Sequence, residues 1–161
     1  NDTELPSTFI DIKDFREAWF ELNRGLERID LVAIGSPHAS IHEIRKLATL
    51  FGDRKCHKDT KMIITTARHI IDLAQKENIC EILDQARVSL MADLCWCSIV
   101  DPIFPAEALG LMTNSGKYAH YAYGLSGRHS RLGSLRDCVN AAINGFVPFT
   151  PPTWLDELPS K

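Results

Sequence analysis

The residues best equipped for chemistry fall in four short clusters: GSPHAS (35–40), TTARH (65–69), ADLCWC (92–97) and TNSGKYAHY (113–121). The last packs Thr113, Asn114, Ser115 and Lys117 around Gly116, with Tyr118, His120 and Tyr121 beyond. Backbone N–H groups at the start of a following helix, together with the Lys117 ammonium, would favour an anion. The long glycine spacing of a Walker loop is missing. The plainer reading of the same residues is a capped helix with a surface lysine. In TTARH, Arg68 suits a carboxylate or phosphate, or else pairs with a nearby acid. His38 stands in the turn of GSPHAS, where Ser40 is accounted for by helix capping and a lone histidine is usually just solvated. His120 could assist acid–base work or join a network among the tyrosines. Asp101 and His129 receive no role.

Cys95 and Cys97 are two apart, which on an extended strand turns both thiols to one face. A structural zinc pair would need a second pair elsewhere, and neither thiol belongs to a CxxC redox motif. The choice lies between buried structural cysteines and one ligand of an iron centre completed from elsewhere. Cys80 and Cys138 fall within helical stripes and read as core; Cys56 reads as exposed and incidental.

Elements must position these clusters, and the apolar pattern supplies them. Phe15, Trp19 and Leu22 lie at helical spacing in a segment stopped by Gly25, with Asp11 or Asp14 as cap. IDLVAIG (29–35) is a buried-strand signature, and KMIITTA (61–67) repeats it. Between them, residues 40–52 form a helix with a Ser40/Glu43 capping box, ended by Gly52. Residues 69–86 are helical in pattern, with a break near Asn78. Strands are expected at 88–95 and near 109–112, and a last helix at 133–146 capped by Ser134 and stopped by Gly145. Buried strands alternating with amphipathic helices predict a three-layer α/β/α sandwich around a mainly parallel sheet. Ligands bind such sheets outside the carboxyl ends of the strands, so all four clusters should gather on one rim.

The 161 residues, 45% hydrophobic and 24% charged, suit one globular domain with a core at about 12–146 and tails at 1–10 and 147–161. A net charge of −3 leaves no basic excess for nucleic acid. No apolar run nears the roughly eighteen residues of a membrane span, and no signal peptide is expected. Five cysteines, an odd count without repeating spacing, point to a reducing, cytoplasmic setting.

In order and approximate spacing, DLVAIGSPHASIHEIRKLATLFG, MIITTARHI, MADLC, LMTNSGKYAHYAYG and LGSLRDCVNAAING resemble the catalytic domain of the aconitase X family. The resemblance runs from about Ile29 to Gly145, and TNSGKYAHY with GSLRDCV is its most specific part. It implies an aconitase-like fold and an iron-dependent hydro-lyase, known members dehydrating cis-3-hydroxy-L-proline or 5-phosphomevalonate. It implies as partners the rest of a large domain and a small swivelling domain or subunit, and as cofactor iron or an iron–sulfur cluster. Family iron ligands lie in a GCPH motif, in a DTC motif and upstream. Cys95 stands at the DTC position, whereas Ser36 replaces the GCPH cysteine, and a hydroxyl is a much weaker iron ligand than a thiolate. Three possibilities follow: iron bound differently, Cys97 acting as ligand, or a lost centre. The resemblance further implies that Thr66, Arg68, Asn114, Ser115 and Lys117 clasp the substrate's carboxylate or phosphate. Catalytic roles would then fall to Lys117, Ser115 and His38. The alternative is a small-anion-binding domain without catalysis.

Overall fold

A computed structural model describes residues 7–99 and 102–157, and Asp101 lies outside them. The element order is α1 (Ile12–Glu21), β1 (Leu31–Ala39), α2 (Ile41–Phe51), β2 (Lys61–Thr66), α3 (Arg68–Lys76), α4 (Ile79–Gln85), β3 (Val88–Ala92), β4 (Leu111–Thr113), α5 (Gly116–Ser126), β5 (Ser130–Leu132), α6 (Leu135–Asn144) and α7 (Trp154–Glu157). The five strands pair in parallel in the order β3-β2-β1-β4-β5. The chain builds outward from β1 to β3, then returns across the sheet to start β4 on the other side of β1. Between β1 and β4 the strand order reverses, which is where an open parallel sheet leaves a crevice at its carboxyl edge.

Alternation along the strands feeds two cores. Val32, Ile34, Met62, Ile64 and Met112 turn to one face and pack on Ile44, Leu47, Phe51, Leu83 and Val139 from α2, α4 and α6. Leu31, Ala33, Ile63 and Leu111 turn to the other, where Tyr118 and Ala122 of α5 meet Trp96, Ile99, Phe104 and Ala108 from the β3–β4 connection. One face is therefore sealed by helices and the other by a single helix and an irregular segment. The Asp30 carboxylate anchors the far end of that segment by accepting the N–H groups of Leu109 (3.0 Å) and Gly110 (2.9 Å).

Capping boxes close α2 and α6 as their sequences require: Ser40 with Glu43, and Ser134 with Asp137. The 69–86 pattern divides at Asn78, which takes the left-handed φ of 59°. Other expectations differ from what is found. β5 has too short an apolar run to be seen in the sequence. The α1 stripe of Phe15, Trp19 and Leu22 buries no residue, because the helix lies over the chain's flanking segments and off the sheet. Cys56 is 3% exposed, enclosed by the turn that hydrogen-bonds it to Ala86, so it belongs to the core. Burial raises its thiol pKa to about 11.

Candidate functional site at the carboxyl edge of the sheet

The end of β1 is its least regular part. From Ile34 to Ala39 it advances five residues while β2 advances two, from Ile64 to Thr66, so Gly35–His38 bulge away from the ladder. GSPHAS is thus a bulged strand end, where its composition suggested a simple turn. Gly35 has φ +85°, and a Cβ there would lie 2.1 Å from the Thr65 carbonyl oxygen, so only glycine fits. Thr65 Oγ1 donates within the bulge, reaching the carbonyls of Gly35 and Pro37 (3.0 Å to the latter). Thr66 Oγ1 donates to Ala39 O at 2.6 Å. Both threonines are fully buried, so Thr66 faces the bulge and acts on it as a brace. His38 is exposed, and Ser36 Oγ is buried with no hydrogen-bond partner.

β3 stops at Ala92, three residues before the expected end. Asp93 takes the left-handed φ of 60°, and its N–H donates to Thr66 O (2.8 Å). Its carboxylate accepts the Arg68 backbone N–H (3.0 Å) and the Arg68 guanidinium (3.0 Å). Asp93 therefore caps α3, whose own N-cap, Ala67, has no side chain to do so. The Arg68 N–H and side-chain hydrogen bonds hold the Asp93 carboxyl below its usual range, and His38 adds to this. The acid partner that the sequence left open for Arg68 is thus identified.

Beyond Asp93 the chain turns, so Cys95 and Cys97 do not sit on an extended strand. The turn still brings them together. The Cys97 backbone N–H and thiol, together with the Lys117 charge, hold the Cys95 thiol below its usual range; Cys95 and burial push the Cys97 thiol up, against the opposing pull of Lys117. Trp96, between them, is 1% exposed; its Nε1 donates to Ile34 O (2.9 Å) and its ring packs on Tyr118 (5.6 Å). Trp96 is consequently a core anchor. It fixes the two-cysteine turn against the end of β1.

β4 ends at Thr113. Asn114 Nδ2 lies 3.5 Å from Glu43 Oε1 of α2, and Ser115 Oγ accepts the Tyr118 N–H (3.2 Å) to cap α5. That bond leaves the Ser115 hydroxyl proton free. Lys117, in the first turn of α5, is exposed. The edge therefore joins Ser36 and His38 from β1, Thr66 from β2, Arg68 at the start of α3, Cys95 and Cys97 after β3, and Asn114, Ser115 and Lys117 after β4. Hydrogen bonds and charge contacts link them in two groups, Arg68–Asp93–His38 and Cys95–Cys97–Lys117. Among the described residues no three of His, Cys, Asp or Glu cluster closely enough to hold a metal. The thiols of Cys95 and Cys97 and the unpartnered Ser36 oxygen amount to a partial donor set, suited to a soft metal through sulfur. Sequence reasoning overlooked how Thr65 and Trp96 shape this edge; the buried-strand pattern around Thr65 and the flanking cysteines of Trp96 were the signals available.

Residues 29–144 match the family described as Aconitase X third domain. The chain belongs to the aconitase X family. This aconitase X chain is 43% identical over 143 residues to cis-3-hydroxy-L-proline dehydratase of Pseudomonas aeruginosa, covering 88% of its own length and 25% of that protein. It is 33% identical over 112 residues to the phosphomevalonate dehydratase large subunit of Methanocaldococcus jannaschii, covering 70% and 27%. The holo-form crystal structure of Thermococcus kodakaraensis aconitase X superimposes with a TM-score of 0.73 at 26% identity, covering 88% of this chain and 36% of that one. The aconitase X chain thus spans about a quarter of the length of the curated relatives it matches. Its α/β fold, with an all-parallel sheet between helices, is that of an aconitase X domain. No helix among its described residues is long and apolar enough to cross a membrane.

Proposed function

We propose that this chain is one domain of a larger aconitase X polypeptide and supplies part of the active site of an iron-dependent hydro-lyase acting on a small hydroxy acid. The observation that carries the reading is the Cys95–Cys97–Lys117 group, seated by Trp96 against β1 beside the β1/β4 reversal. Dehydration breaks a C–O bond and a neighbouring C–H bond, releasing water and leaving a double bond. A cation is needed for the substrate's carboxylate and a base for the proton. On this reading Lys117, Asn114 and the Ser115 hydroxyl would bind the anionic end, with Arg68, held by Asp93, further along the edge, and His38 would take a catalytic role.

Cys95 would hold the iron, joined by Ser36 or Cys97, with further ligands from other parts of the polypeptide. When bound, the metal would supply a Lewis acid for the leaving hydroxyl. The higher identity to the cis-3-hydroxy-L-proline enzyme supports that acid as first candidate, ahead of 5-phosphomevalonate.

Serine at position 36, where the resemblance places a cysteine ligand, favours a second reading, a small-anion-binding domain that has lost its metal. Both are tested by assaying the longer polypeptide anaerobically with each acid and measuring its iron content. The hydro-lyase reading expects bound iron, turnover of one acid, and about a 10- to 100-fold loss of kcat/KM in Lys117→Met, the cost of one hydrogen bond to a charged group. An iron-free protein without turnover that still binds the acids through Lys117 would select the second reading.

A further inference from the structure

A cavity of about 610 Å³ lies at the β5 side of the sheet, between β5, α6 and the segment that follows α6, and reaches Gly133 and Ser134 just after β5. A second of about 440 Å³ adjoins it, and Asn23 and Arg131 line both. Arg131 is 3% exposed. Its Nη1 donates to Asn23 O (3.0 Å), its guanidinium lies 4.6 Å from the centre of the Phe149 ring, and its Nε has no hydrogen-bond partner. Among the described residues no carboxylate pairs with it. The nearby acids are already engaged: Glu27 Oε1 accepts the Phe149 N–H (2.8 Å), and Asp137, on the cavity wall, accepts from Ser134 N (2.9 Å) and Oγ (2.7 Å). Burial works against the guanidinium charge, and Glu27 favours it only from a distance. Arginine stays charged, and buried charges in proteins are normally paired. This one lacks its anion.

The rest of the wall is largely apolar, including Trp19, Met112, Ala141, Val147 and Trp154. The volume falls within the range of small-ligand sites, about 300–1,000 Å³. We propose that the cavity binds a carboxylate carried on a compact apolar body, with the carboxylate on Arg131. A planar carboxylate matches the guanidinium fork. Two sources share this chemistry: a free organic acid, or an acidic residue flanked by apolar ones elsewhere in a longer polypeptide. The site shares no residue with the strand-end edge, so it stands or falls independently of the dehydratase reading.

The test is a titration of the 161-residue chain with benzoate, following the Arg131 Nε–H signal by NMR and tryptophan fluorescence beside it. The expected result is a saturable shift that benzyl alcohol, which lacks the carboxylate, does not produce. Arg131→Gln is expected to weaken it at least about tenfold, the loss of one charged hydrogen bond. Should that variant fail to fold, Asn144→Phe alters an exposed position on the cavity wall and is expected to block binding with the fold intact. Repeating the titration in the longer polypeptide separates the sources. Retained binding identifies a free acid, whereas an Arg131 signal already in the bound position and deaf to benzoate identifies the protein's own carboxylate. No shift in the 161-residue chain, or an equal response to benzyl alcohol, overturns the proposal.

Discussion

On one face of the sheet, α2, α4 and α6 bury Ile44, Leu47, Phe51, Leu83 and Val139 in regular rows. On the other, α5 shares the work with residues 94–99 and 102–108, which among the described residues form no helix or strand and rely on Trp96, Phe104 and Ala108 for burial. The regular face builds the larger core. The irregular face also carries Cys95 and Cys97, and its few anchors decide where those thiols stand. Precise placement of reactive groups is here achieved by a loop pinned at points, with the repetitive elements as its foundation.

The sharpest way to break this contrast is a pair of truncations. Phe51→Ala and Trp96→Ala should each lower stability by about 3–5 kcal/mol, the usual cost of removing a buried aromatic, as measured by urea unfolding. Only Trp96→Ala should also speed modification of Cys95 and Cys97 by a thiol reagent under native conditions. Equal labelling rates in both variants would show that the indole does not hold the turn.

A smaller effect is expected where the irregular segment rejoins the sheet. Burial would raise the Asp30 pKa, but hydrogen bonds from Gly110, Arg28 and Leu109 outweigh it and bring it below the usual value. A depressed carboxylate contributes stability that is present above its unfolded pKa of about 3.9 and lost as pH falls through the folded value. Asp30→Asn should therefore cost about 1–3 kcal/mol at pH 7, and the deficit should shrink below pH 4. A deficit independent of pH would assign the role to shape and not to charge.

The smallest effect belongs to Asp93→Asn. Its carboxylate is half exposed, so unfolding should barely change. Arg68 should nonetheless lose its fixed position, visible as faster exchange of its Nε–H in NMR. An unchanged exchange rate would mean that Asp93 does not orient Arg68.

The same two faces explain what could be read from the sequence. Helical periodicity, capping boxes and the runs of β1 and β2 announced the regular face, since each signal is local and repeats. The strand-end clusters were also legible, because a parallel sheet gathers whatever follows its strands. Three features were not. The left-handed turn at Asp93, which ends β3 early, depends on a hydrogen bond to Thr66 from a neighbouring strand. The burial of Trp96 depends on the Ile34 carbonyl 62 residues away. β5, three residues long with the charged Arg131 at its centre, carries no strand pattern, and it is tertiary contact with Asn23 and Gly25 that encloses it.

Residues 27–29 and 145–147 are hydrogen-bonded neighbours, Ile29 N to Gly145 O and Val147 N to Glu27 O, with a bridge between Arg28 and Phe146. The stretch that enters β1 and the stretch that leaves α6 therefore form one narrow neck at the amino end of the sheet. Cys95 and Lys117 stand at the opposite end, a full strand away. Whatever holds the chain at this neck therefore stands a strand's length from the proposed site.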